Sequence, residues 1–429
     1  MSFPLFLKPL ALIGLLLTYS FAVGAETTAV LTLQAATELA IADNPDLAQM
    51  QARAKAMAAI PSQEGTLPDP QISFNAMSLP VNGFNVRQED MTQLGVSVSQ
   101  TIPFPGKLAL REQAAQFEAQ AESLNVDEVR QRLLSEVKTV WWLIFYLDRA
   151  ITVHDSKHTS LEQFVQIART KYEVGEGLQQ DVLLAQLELS KLLDEMLMLN
   201  SSRRNAVASL NALLNKPANT VLKLPETVDL KLPNVKAEAQ LYQVAENSRA
   251  ILESNRQSIQ AAQSRLDFAE KDFLPDFTVE VGYGARANTL DGHRRSDLLS
   301  LGVSMNVPIF AAQKQAKAVD QRSSELMREK YALQDEWNKA RSQITKSYTD
   351  YQRAKQQFLL YDTGIVPQAK QTVASMLAGY QVNKVDFLNL VRSQLTLFEY
   401  QFQYWKAFTE ANQALAQLTA AVGKEEIYE

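Results

Sequence analysis

No cysteine occurs among the 429 residues. Disulfides, thiolate metal sites and a lipid-modified cysteine are therefore excluded, and any membrane attachment must come from the polypeptide itself. Glycine and proline are sparse, with 15 of each, which favours long regular elements over many short ones. Beyond the N-terminus the longest apolar run is Val140 to Leu147, far short of the ~20 residues a spanning helix needs. There is no basic excess either. The formal net charge is -6 and the Lys and Arg residues are scattered, so no nucleic-acid footprint exists. The sequence also lacks a glycine-rich phosphate loop, a nucleophile elbow and a His-carboxylate cluster. No enzymatic activity and no cofactor are expected.

What is present begins with an export signature. Lys8, the apolar stretch Leu10 to Leu17 and the small residues Val23-Gly24-Ala25 predict a signal peptide over 1–25, cleaved after Ala25. The rest of the chain repeats itself. Leu67-Pro68-Asp69 recurs as Leu274-Pro275-Asp276 and Leu94-Gly95-Val96-Ser97 as Leu301-Gly302-Val303-Ser304, both at an offset of 207. Tyr172, Val174, Gln186, Leu187 and Leu189 recur as Tyr380, Val382, Gln394, Leu395 and Leu397 at an offset of 208. A period near half the chain is too long for a solenoid and implies two copies of one unit. The expected division is a first repeat over 26–215, a linker or equatorial segment over 216–236, a second repeat over 237–423 and a tail over 424–429.

Each repeat contains two segments of period-two alternation, predicting strands at about 69–79, 92–103, 275–285 and 297–308. One face carries Ile72, Phe74, Val96, Val98, Val279, Val281, Leu301 and Val303; the other is small or polar, with Ser73, Ser97, Gly282 and Gly302 among its residues. About ten residues is the length of a tilted transmembrane strand, and the alternation is that of a lipid face against a wet lumen. A half-buried sheet in a soluble protein would alternate too, but here the polar face lacks large residues to pack a second layer. Four strands cannot close a barrel, and an open sheet edge cannot sit in lipid, so membrane-spanning strands require oligomerisation. Two copies would give eight strands and a filled interior; three would give twelve and a channel.

The helical stretches are long. Lys107 to Tyr172 contains no proline, and Ala312 to Gly379 is of similar length, about 100 Å each at ~1.5 Å per residue. Val126, Val129, Leu133, Val137, Val140, Ile144, Leu147 and Ile151 step by three and four, whereas Trp337, Ile344, Tyr351, Phe358 and Ile365 step by seven. Such seams pack helices side by side. Return helices are expected over Leu178 to Leu214 and Asp386 to Val422, with Asn215 and Gly423 at left-handed C-cap positions. Pro367, after Gly364, should bend the second long helix.

In this order and spacing the motifs resemble the TolC-like outer-membrane efflux proteins over essentially the whole mature length. The residues carrying the likeness are Leu31-Thr32-Leu33-Gln34-Ala35-Ala36 with Asn44-Pro45-Asp46-Leu47, the strand exit Gln100-Thr101-Ile102-Pro103-Phe104-Pro105-Gly106-Lys107, the tip Tyr172 to Gln186, and Leu210-Asn211-Ala212-Leu213-Leu214. The resemblance implies a mainly α fold with transmembrane β: a duplicated unit of long coiled-coil helices plus a β-hairpin. It would form a homotrimer with a 12-stranded barrel in outer-membrane lipid on a 12-helix periplasmic tunnel, so that most of the chain lies in the periplasm. The implied partners are a periplasmic adaptor and an inner-membrane RND-type pump. The Pro-Phe-Pro-Gly-Lys exit and Pro-Asp-Pro approach look most like the heavy-metal (CzcC/CusC-type) branch. Export of drugs or other organic compounds is the alternative within the family; a periplasmic coiled-coil adaptor or scaffold is the alternative outside it.

The likeness also places candidate sites. Positions where relatives carry gating aspartates fall on Asn389 and Arg392, with Asp386 one turn earlier and Asp181 in the first repeat. Asp386 could restore the mouth's negative charge or pair with Arg392, or simply favour the helix N-terminus. Val174-Gly175 fits the turn that relatives offer to the adaptor; Val382-Asn383 lacks the second glycine. His154 and His158 stand four apart, a spacing that can hold Zn or Cu, although the third histidine, His293, belongs to a predicted outer loop.

Overall fold

A computed structural model describes residues 30–425, 427 and 428; the predicted signal peptide and part of the tail lie outside the described residues. The first repeat begins with α1 (Leu33–Asp43), α2 (Pro45–Ala58) and α3 (Ile60–Gly65), then β1 (Gln71–Met77), β2 (Gln93–Ile102), α4 (Lys107–Glu173) and α5 (Gln179–Leu213). The second comprises α6 (Glu238–Ser248), α7 (Ala250–Lys271), β3 (Phe277–Ala285), β4 (Leu298–Met305), α8 (Gln315–Leu360), a π-helical turn over Tyr361–Ile365, α9 (Val366–Gln381) and α10 (Phe387–Val422).

The strands are slightly shorter than their sequence pattern, seven to ten residues. They do not stay as two separate hairpins. Both join one antiparallel sheet in the order β1-β2-β3-β4, with β2 and β3 paired from Leu94↔Ala285 to Ile102↔Phe277. The two hairpins are not perfect copies: Gln71 pairs with Ser99, whereas its repeat Thr278 pairs with Ser304 rather than with Asn306. A slip of two residues preserves which face each side chain occupies, and so it is tolerated where a one-residue slip would not be.

α4 runs 67 residues without interruption. Opposite it, the partners come in pieces joined end to end. Asn44 ends α1 and caps α2, accepting from the Asp46 and Leu47 N–H groups at 3.0 and 3.1 Å, with Pro45 at the first helical position. Its amide also donates to the Leu213 carbonyl at the end of α5 at 3.0 Å. In the second repeat Ser248 Oγ donates to the Val422 carbonyl at 2.9 Å and Arg249 Nη1 to that of Ala421 at 3.3 Å. Gly423 completes this junction at φ 81°, where a Cβ would come within 2.9 Å of Arg249 Cα. Carbonyls otherwise orphaned at a helix C-terminus are thereby satisfied by the start of the next helix. The result is four helical columns per chain: α4, α5 continued by α2, α8 with α9, and α10 continued by α7.

Pro367 does not kink α9 by breaking a bond. The π-helical turn lies immediately before it, so that the Val366 N–H reaches back to the Tyr361 carbonyl and the proline falls at the start of the restored α-helix. A wider turn absorbs the residue that cannot donate.

The seams pack as their spacing requires: Val137, Ile144, Ile344 and Tyr351 are fully buried. The principal core gathers Trp141, Phe145, Leu210 and Phe408 around α4. The segment between the repeats is no free linker, because Leu222 and Leu224 belong to that core and the Lys223 carbonyl accepts from Leu31 N at 2.8 Å. Farther along, Val235 bridges to Tyr428.

Candidate membrane face and channel mouth

The pairing register sets the chemistry of the sheet. Ile72 lies opposite Val98, Phe74 opposite Val96, Val96 opposite Tyr283, and Val281 opposite both Val98 and Leu301, so that, apart from Met77 and Leu298 at the strand ends on the other side, the alternating apolar positions share one face. That face is bare: Phe74 is 83% exposed, Leu301 75% and Val303 74%. A contiguous apolar sheet of this kind is not left in water. The opposite face carries Ser73, Ser97, Gly282, Ser300 and Gly302. Beyond the strands the two outer connections are tied together, with Arg295 Nη2 2.6 Å from Asp90 Oδ1 and Arg286 donating to the Asp90 carbonyl at 2.7 Å. Among the described residues no helix is long and apolar enough to cross a membrane. β1 and β4 are left with one unpaired edge each.

At the far end of α4, a separate core of Leu161, Phe164, Ala185, Tyr380, Phe387 and Leu390 holds the tips of α4, α5, α9 and α10 together. The two tip turns have the same geometry. Gly175 adopts φ 78° and Asn383 φ 60°; the Glu176 N–H bonds to the Lys171 carbonyl at 2.8 Å and the Lys384 N–H to that of Gly379 at 2.9 Å. Asparagine is the other residue that enters the left-handed region readily. The missing second glycine is thus no departure in shape, and Val174 and Val382 stand exposed at matching places.

Between these turns the repeats differ, and the difference fastens them. Lys171 Nζ donates to the Tyr380 carbonyl at 3.0 Å and to Asn383 Oδ1, and sits 4.6 Å from the centre of the Tyr380 ring. Its repeat position is Gly379, so nothing equivalent comes back. Sequence reasoning missed Lys171 and Tyr380 as site residues; the Lys-to-Gly mismatch inside an otherwise repeated motif was the available signal. Replacing Lys171 by alanine should loosen the tips and speed limited proteolysis at the two tip turns, while Lys171→Arg should retain most of the protection.

Asp386 does not pair with Arg392. It caps α10, its Oδ1 accepting the Asn389 N–H at 2.8 Å and its Oδ2 the Asn389 side-chain amide at 2.9 Å. Arg392 is exposed and has no ion-pair partner among the described residues. Asp181 from the first repeat faces this group: burial and then the Asp386 charge push its carboxyl above the ordinary value of 3.8, opposed by a backbone hydrogen bond at Leu178. Burial, followed by the charge of Asp181, also raises Tyr380. Because the folded-state value of Asp181 exceeds the unfolded one, the tips gain stability as pH falls through that value, fully so below 3.8, while at neutral pH the repulsion stands. The tips should therefore resist limited proteolysis better on acidification, and Asp181→Asn should flatten that pH profile.

The histidine pair does not assemble an ion site. His154 is buried with Nε2 2.9 Å from the Leu192 carbonyl, and His158 lies on the surface beside Glu162, its Nδ1 3.5 Å from the carboxylate. No group of three His, Cys, Asp or Glu side chains suited to a metal occurs among the described residues.

A family model described as outer membrane efflux protein matches residues 36–216 and 241–424. The chain belongs to the outer membrane efflux protein family. It is accordingly a channel component rather than an enzyme, and the adaptor or scaffold alternative falls. Among characterised relatives, the cobalt-zinc-cadmium resistance protein CzcC of Cupriavidus metallidurans is 20% identical over 93% of this chain and 91% of its own length. The outer membrane efflux protein BepC of Brucella suis is 22% identical over 71% of this chain and 66% of its own. Solved structures share the fold: CusC superposes with a TM-score of 0.78 at 14% identity, covering 92% of this chain and 93% of that one. The open-state MtrE channel of Neisseria gonorrhoeae gives 0.77 at 15% identity over 92% and 89%.

Proposed function

We propose that three copies of this chain form a passive exit duct in the outer membrane, and that its cargo is heavy-metal cations. Twelve strands would close the barrel that four leave open, and twelve helical columns would continue it into the periplasm. Three copies leave an aqueous lumen where two would leave a filled one. An inner-membrane RND-type pump would deliver the cargo, and a periplasmic adaptor would grip the tips, where Val174-Gly175 and Val382-Asn383 offer two similar turns per chain. The mouth agrees with a cationic cargo in that Asp181 and Asp386 converge there from opposite repeats, a ring of carboxylates after threefold repetition, partly offset by Arg392.

The observation that carries the metal assignment is the end-to-end likeness to a cobalt-zinc-cadmium resistance protein. Its test is deletion of the gene followed by growth on copper, silver, zinc, cobalt and cadmium, alongside organic dyes and antibiotics. Selective metal sensitivity, reversed by the intact gene, is expected. Sensitivity confined to the organic compounds would instead assign the duct to drug export.

A further inference from the structure

The seam between the repeats inside one chain contains a lysine lock. Where β2 leaves the sheet, Lys107 is 2% exposed. Its Nζ lies 2.9 Å from Asp276 Oδ1 and 3.1 Å from Asp272 Oδ1, and donates to the Leu274 carbonyl at 2.9 Å. The Phe104 N–H donates to the same Asp276 carboxylate at 2.8 Å. The segment leaving β2 is thereby keyed to the segment approaching β3, directly beneath the β2–β3 pairing.

The duplication repeats both halves of this key. Asp69 stands 207 residues before Asp276, and Lys314 stands 207 residues after Lys107, the same offset that relates Leu94 to Leu301. Yet within one chain the halves cannot meet. Asp69 precedes β1 at one edge of the sheet and Lys314 follows β4 at the other, about 14 Å apart across three strand spacings. Both are exposed, and among the described residues neither has an ion-pair partner. We propose that Lys314 of each copy pairs with Asp69 of the next, repeating between subunits the Lys107–Asp276 contact made within each. β4 would then lie antiparallel to β1 of the neighbouring copy. The register must place Val303 and Met305 on the same apolar face as Ile72 and Phe74, as the β2–β3 pairing does for Val98 and Val281. The intermolecular key carries one carboxylate fewer, because Gly65 occupies the place of Asp272. It is the weaker of the two contacts.

This inference rests on the oligomeric duct proposed above, and the experiment separates the two. The chain is free of cysteine, so Asp69→Cys with Lys314→Cys introduces the only thiols. A lysine–carboxylate pair spans more than the ~7 Å a disulfide allows between Cα atoms, so a short bismaleimide is the appropriate bridge. In membranes it should yield a ladder of two and three linked chains, and either cysteine alone should give no chains beyond a linked pair. In parallel, Asp69→Lys and Lys314→Asp should each lower the temperature at which the detergent-resistant oligomer dissociates, and the double swap should restore it. Native mass measurement supplies the control. Three copies with neither ladder nor rescue would overturn the lock and leave the duct standing; a single copy would overturn both.

Discussion

Replacing Leu301 by arginine is expected to remove the protein from the outer membrane. Leu301 lies midway along β4, pairs with Val281 and is 75% exposed on the apolar face. A cation at the midplane of a lipid-facing strand costs about 2–4 kcal/mol, and threefold assembly would repeat the penalty in every subunit. Ser300, one residue away on the opposite face, provides the comparison: Ser300→Arg should insert and assemble, because it points toward water. Quantifying both variants in isolated outer membranes checks the assignment of the faces. Equal loss of the two, or retention of Leu301→Arg, would contradict it.

Replacing Trp141 by alanine should produce the largest loss of stability within the helical part. Trp141 is 1% exposed and stacks on Phe145 with centroids 5.9 Å apart and planes 5° from parallel. Its edge-on neighbour is Trp142, and its Nε1 donates to the Leu31 carbonyl at 3.0 Å. Truncating such a side chain costs about 3–5 kcal/mol. The Leu31 carbonyl would also lose its partner, at about 1–3 kcal/mol if it stays dry. Because Leu31 is bonded in turn to Lys223, the damage should spread to the inter-repeat segment. Limited proteolysis should then cut near residues 216–236 in Trp141→Ala but not in the wild type. Trp141→Phe keeps one aromatic ring against Phe145 but loses the hydrogen bond and part of the buried volume, so its thermal midpoint should fall between the two.

Much of this was legible in the sequence because it is local and periodic. The alternation from Ile72 to Ala76 and from Leu94 to Val98 depends only on the pleat, and the seam from Leu133 to Leu147 only on helical spacing. Asn215, at φ 52°, and Gly423 ended their helices where expected. What escaped depends on residues far apart in the chain. The Asn44–Leu213 and Arg249–Ala421 junctions, which turn broken helices into columns, join positions 169 and 172 residues apart. Lys107 looked like one letter of an exit motif until its carboxylates arrived from residues 272 and 276.

The mouth shows the same division. Asp386 could be read from the sequence as a cap or as an ion-pair partner of Arg392, and only the position of the Asn389 N–H decides for the cap. Glycine at the second tip seemed necessary by analogy with Gly175, but the requirement is a positive φ, which Asn383 also meets. The histidines illustrate the converse: their spacing of four suits a metal, yet His154 directs a ring nitrogen at the Leu192 carbonyl of α5.

The most direct test of the duct is single-channel recording from the purified protein in planar lipid bilayers, comparing wild type with Lys171→Ala. Stepwise insertion of long-lived conducting units, larger for Lys171→Ala and diminishing as pH is lowered, is the result expected of a water-filled barrel closed by its helix tips. Protein that gives no conducting steps in either form, and fractionates with soluble periplasmic contents, would contradict the account.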